Sequence, residues 1–133
     1  MNQRPRGSKP VAVAFPPGAQ LIRAALEAPD YQDAYAMALQ PGMPRDPAAW
    51  TGILRDAFPI AARRDGEVLM DVSTSGLDAW ASIVVDDTHV TLCSSVRTPT
   101  LRSKAYWGVV RRFHPFMARA MMARTDRKLS RLR

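Results

Sequence analysis

The chain has 133 residues, with 19 lysines and arginines against 12 aspartates and glutamates, for a formal net charge of +7. That length fits one domain, and a hydrophobic share of 47% excludes a wholly disordered chain. The single Cys93 excludes an intramolecular disulfide framework, and no apolar run approaches the roughly 20 residues of a membrane-spanning helix.

The charge is unevenly placed. Arg102 to Arg133 holds ten basic residues and one acid, Asp126, and the first ten residues hold Arg4, Arg6 and Lys9. Val11 to Leu101 holds six basic and eleven acidic residues. A mildly acidic body therefore carries two basic ends. A basic end suits an anionic partner such as nucleic acid, a lipid headgroup or a phosphorylated ligand. The absence of any docking motif favours reading it as a solvated tail.

Residues 1–10 are polar and basic and are expected to be disordered. The stretch VAVAF before Pro16-Pro17 is too short for a secretory signal, so a cytoplasmic location is expected. Val11 to Phe15 reads as a short strand or an extended arm, and Gln20 to Ala28 as a short helix. Tyr31 to Leu39 alternates large and small residues, which predicts a strand, although its alanines argue for helix. Asp46 and Pro47 are suited to open a helix, with Trp50, Ile53, Leu54 and Ala57 at helical spacing and Trp50 and Leu54 on the core.

Glu67 to Val72 reads as a strand. Asp78–Val85 and Thr88–Arg97 are rich in β-branched residues, and Asp86-Asp87 joins them as a hairpin. Pairing across that turn sets Val85 against Thr88, Ile83 against Val90 and Trp80 against Cys93. One face is apolar. The other carries Asp78, Trp80, Ser82, Val84, His89, Thr91, Cys93, Ser95 and Arg97, and suits either water or a cavity under a covering helix. Ser103 is the expected N-cap of the last helix. Its apolar stripe runs through Tyr106, Val109, Val110, Phe113, Met117, Ala120 and Met121, with a kink at Pro115. The prediction is one α+β domain over residues 11–124, followed by a basic, fraying end at 125–133. An antiparallel sheet of about four to six strands packs on a long, Pro-kinked C-terminal helix.

Three segments carry a family resemblance: APDYQDAYAMAL at 28–39, WTGILRDAF around Leu54-Arg55-Asp56, and LDAWASIVVDDTHVTLCSSVRT running into AYWGVVRRFHPFMARAMMAR. Together they resemble a bacterial domain family of unknown function, found alone or fused behind short-chain-dehydrogenase-like NAD(P)-binding domains. That family is similar to the START-like, polyketide-cyclase-like helix-grip superfamily. The resemblance implies a curved antiparallel sheet gripping the C-terminal helix, with a ligand cavity between them. This chain has Ser103-Lys104 where the family usually shows Gly-Arg, and a shorter middle, which implies fewer strands and a truncated helix-grip fold. The superfamily hosts binders, transporters, cyclases and hydrolases alike, so no single reaction follows.

The chain has no phosphate loop, GxGxxG, GxSxG or HExxH. Two histidines and one cysteine, far apart, form no metal-ligand pattern, so neither metal nor cofactor is expected. His114, beside the Pro115 kink, reads first as a structural imidazole and second as a general acid or base, with Asp78 as the other candidate base. His89 is expected in solvent. Trp80, Cys93, Arg97, Tyr106 and Trp107 are the candidate lining of a cavity for an apolar or aromatic small molecule. Cys93 has no basic neighbour in sequence and reads as an inert thiol. Arg102 and Lys104 sit where cations oppose the helix dipole, so with Arg97 they are candidates to bind an anion.

Three functions follow. One is a small-molecule-binding helix-grip-like domain, with or without cyclase-, dehydratase- or isomerase-type proton transfer. Another is a binder of nucleic acid or anionic membrane through the Arg-rich C-terminal third. The last is an interaction module for an NAD(P)-dependent enzyme.

Overall fold

The computed structural model describes residues 10–26, 28–40, 42–54, 58–74, 76–111 and 122, with the backbone alone for 51–54 and 110. The chain runs through β1 (Val11–Ala12), α1 (Gln20–Ala25), β2 (Tyr31–Ala38), a 3-10 helix (Pro47–Leu54), β3 (Ile60–Arg64), β4 (Glu67–Asp71), β5 (Asp78–Val85), β6 (His89–Arg97) and α2 (Leu101–Val110). All six strands join one antiparallel sheet in the order β1-β2-β6-β5-β4-β3. The fold is α+β, as the patterning requires.

The β-branched stretches take the two central places, β5 and β6, where both faces are covered. On one face Ala79, Ala81, Ile83 and Val85 of β5 lie with Val90, Leu92 and Val96 of β6 under Trp50 and Trp107. The buried Met122 joins this layer. On the other face Val84, Cys93, Ala34 and Leu69 pack against Ala19 and Ile22, at and within α1. Sequence alternation therefore assigns the faces of the hairpin correctly.

The register differs from expectation by two residues. Val85 pairs with Val90, Ile83 with Leu92 and Ser82 with Cys93, while Trp80 lies opposite Ser95. The cause is the Asp86 carboxylate, which accepts the N–H groups of Thr88 and His89 at 2.8 Å each. Asp86 N–H also donates to His89 O at 3.0 Å, which centres the turn on Asp87-Thr88. A slip of two leaves every side chain on its face, because the strand period is two.

Other departures are local. Residues 47–54 form a 3-10 helix rather than an α-helix: Ala49 N–H donates to Asp46 O, three residues back. Gly52 in its middle weakens α-helix propensity. Asp46 caps it as expected, accepting Ala48 N–H at 3.0 Å, and Trp50 is fully buried with its Nε1 donating to Pro44 O. Strand β3 was not anticipated.

The N-cap of α2 is Thr100, and Ser103 is its N3 partner in a capping box, so the sequence reading was three residues late. The inward face of α2 is Ser103 and Trp107, whereas Tyr106 and Val109 of the expected stripe face outward. The Pro115 kink, Phe113, His114, Met117, Ala120, Met121, Ala57, the side chains of Leu54 and Val110, and the expected disorder at 1–9 and fraying at 125–133 lie outside the described residues. Among the described residues no helix is long and apolar enough to cross a membrane.

Candidate functional site

The expected cavity lining divides between the two faces of the sheet. Trp80 and Cys93 lie on the α1 face, and Trp107 lies on the other, edge-on to Tyr31 with ring centroids 5.1 Å apart. Tyr106 points outward. The sheet itself separates these rings, so they cannot line one cavity. Cys93 is fully buried, and burial pushes its thiol up to about 12, which agrees with an inert role.

Asp78 is half-exposed and holds Arg97, whose Nη2 donates to Asp78 Oδ2 at 2.9 Å. This surface ion pair occupies the expected base with a cation. His89 is buried rather than solvated, its Nδ1 2.7 Å from Thr88 Oγ1. His114 lies outside the described residues. Among the described residues no three His, Cys, Asp or Glu side chains gather as a metal site.

Lys104, within α2, has a partner in the chain. Asp30 accepts both the N–H of Thr98, at 2.7 Å, and its hydroxyl, at 2.9 Å. Lys104 Nζ donates to Thr98 Oγ1 at 3.2 Å. These Thr98 bonds hold the Asp30 carboxyl below its ordinary range, and Lys104 and Arg97 add to the effect. Arg102 is exposed.

On the sheet face against which Trp107 packs, polar side chains interrupt the apolar layer. Asp33 of β2 pairs with Ser94 of β6, and Ser94 pairs with Ala81. Tyr31 donates its hydroxyl to Asp33 Oδ2 at 2.8 Å. Burial, then that carboxylate, push the Tyr31 hydroxyl well above the usual tyrosine range.

A concave feature lies elsewhere, over the tips of two neighbouring hairpins. A cleft of about 890 Å³ is bounded by Pro16-Pro17-Gly18 on one side and Arg45-Asp46-Pro47 on the other, with the turns at Asp65-Gly66 and Asp86-Asp87-Thr88 as its floor. Val85 N–H donates to Gly66 O at 2.9 Å and ties the two tips together. Gly66 has φ +82, the left-handed conformation that favours glycine.

The two arginines bridge floor and wall. Arg45 Nη1 donates to Asp87 O, and Arg64 Nη1 to Gly18 O, each at 3.1 Å. Each guanidinium has five N–H donors, so most of that capacity is left after these bonds. Of the four carboxylates, Asp46 is used as a cap and Asp86 in its turn. Asp65 and Asp87, which line the same cleft, are exposed. The cleft thus offers two cations and two anions to whatever enters it.

Sequence reasoning passed over Glu67, Asp30 and Asp33. Glu67 is only 1% exposed, and its carboxylate accepts three backbone N–H groups, from Gln20, Leu21 and Ile22. The available signal was an acid leading directly into the apolar run Val68-Leu69-Met70, which calls for a buried partner. The cleft had no signal, because four separate loops build it. Comparison with models of known families, with curated proteins and with solved structures found no match.

Proposed function

We propose that the protein is a small-molecule-binding domain of helix-grip-like build, and that its ligand sits in the hairpin-tip cleft. The carrying observation is a concavity of about 890 Å³ whose lining includes Arg45, Arg64, Asp65 and Asp87. The volume is of the order of known ligand sites, roughly 300–1,000 Å³. Two guanidiniums and two carboxylates suit a polar molecule bearing both a cationic and an anionic group, such as an amino acid or short peptide, better than the apolar ligand expected from sequence. The antiparallel sheet, with Trp107 of α2 packed against Ala79 and Val96 on one face, supports the helix-grip-like reading. Proton transfer by His114 stays an expectation from its place beside Pro115 in the sequence, because His114 lies outside the described residues.

The test is a thermal-shift screen of zwitterionic, singly charged and apolar small molecules. The reading expects stabilisation by zwitterions, lost in Arg45→Ala and Arg64→Ala. Hits confined to apolar compounds, or hits that stabilise both variants like the parent, reject it.

A second reading puts the ligand between sheet and C-terminal helix, as the resemblance implies. The polar interruption at Asp33 and Ser94 favours it, because a polar group on a buried face is placed there at a cost. Asp33→Asn then abolishes the thermal shift and Arg64→Ala does not.

A further inference from the structure

We propose that the outward face of α2 docks on an anionic lipid surface. Leu101, Ala105 and Val109 recur every four residues along the side opposite Ser103 and Trp107, and all three are exposed. Leu101 is 86% exposed and Val109 63%, with Tyr106 beside them at 41%. Single exposed apolar side chains are ordinary, but a row of them on one short helix is not.

The same helix carries only positive charge. Arg102 flanks the row on one side, Lys104 and Arg111 flank it on the other, and the first turn has no acid. Arg102 and Lys104 sit in the first turn, where cations oppose the helix dipole, and Lys104 is held there by Thr98 Oγ1. Two local costs, bare apolar surface and the exposed Arg102 of the first turn, thus coincide on one face. A partner that is both apolar and anionic removes both.

A lipid surface has that chemistry. Its acyl boundary takes Leu101 and Val109, and headgroup phosphates surround the row and meet cations on both flanks. A partner helix would need two rows of acids to do the same. A second copy would bring like charge against like, and a nucleic acid leaves the apolar row unused. The sequence beyond Arg111 adds seven basic residues against Asp126 alone, which strengthens attraction to an anionic membrane. This surface shares no residue with the hairpin-tip cleft, so either proposal stands or falls without the other.

The test is co-sedimentation of the full chain with phosphatidylcholine vesicles, with and without phosphatidylglycerol, at low and raised salt. The proposal expects binding to the anionic vesicles only, weakened by salt. Leu101→Ser/Val109→Ser, which keeps every charge, lowers the partition coefficient at least about tenfold. Arg102→Gln lowers it less. Both variants should keep the parent's circular dichroism and melting midpoint, since the altered side chains are exposed; Leu101→Ser alone gives an intermediate loss. No sedimentation with anionic vesicles overturns the proposal. So does unchanged binding by the double variant, which would assign the effect to charge alone. A dimer in sedimentation equilibrium that the double variant abolishes also overturns it, by giving the face to a second copy.

Discussion

The carboxylate of Glu67 accepts the backbone N–H of Leu21 at 2.7 Å, across 46 positions of chain. The same group takes the N–H of Gln20 and of Ile22. A strand residue thereby supplies the cap that Ala19, at the start of α1, has no side chain to give. Glu67→Ala should cost about 1.5–3 kcal/mol, the usual worth of hydrogen bonding to a charged group. Glu67→Gln keeps one carbonyl acceptor and should cost less. Urea unfolding midpoints measure both, and equal losses would remove the cap from the account.

Gly18 stands in the wall of the cleft for a packing reason. A Cβ there would lie 2.9 Å from Val84 Cγ1. Gly18→Ala should cost about 1–3 kcal/mol, as overpacking does. Val84→Ala makes room, so the double variant should be less destabilised than the two single effects added together. Strict additivity in thermal unfolding contradicts the contact.

Those two contacts mark where sequence reading stopped. The faces of β5 and β6 were legible because alternation is local. Their register was not, because it depended on which backbone N–H groups Asp86 would accept. Strand β3 was hidden: Ile-Ala-Ala-Arg-Arg has little β-branching and lies at the sheet edge with a bulge between Ile60 and Ala62. On α2, periodicity showed apolar residues at helical spacing but not which row turns inward. The row with Trp107 won, leaving Leu101 and Val109 outside. The aromatic constellation failed for a similar reason, since Trp80 and Trp107 belong to different faces of one sheet.

Cys93 should be unreactive in the native protein. Burial pushes its thiol up to about 12, so almost no thiolate exists near neutral pH. Labelling by a thiol reagent should follow opening of the sheet and rise with urea as unfolding does. Rapid stoichiometric labelling without denaturant contradicts the burial.

The Asp30 pKa is depressed from its ordinary 3.8 by the Thr98 N–H and then the Thr98 hydroxyl. A depressed folded pKa adds stability above the unfolded value, and that stability is lost as pH falls through the folded pKa. Asp30→Asn should therefore be less stable than the parent at about pH 7, with the gap closing towards about pH 3. A gap independent of pH in urea titrations would mean that ionised Asp30 adds nothing through Thr98.

The most direct test of the central claim is a map of amide chemical shifts on titrating the best ligand from the thermal-shift screen. The cleft reading predicts the largest changes at Gly18, Asp65, Gly66, Asp87 and Thr88. Changes centred on Tyr31, Asp33, Ser94 and Trp107, with the hairpin tips silent, would contradict it and place the ligand beneath α2.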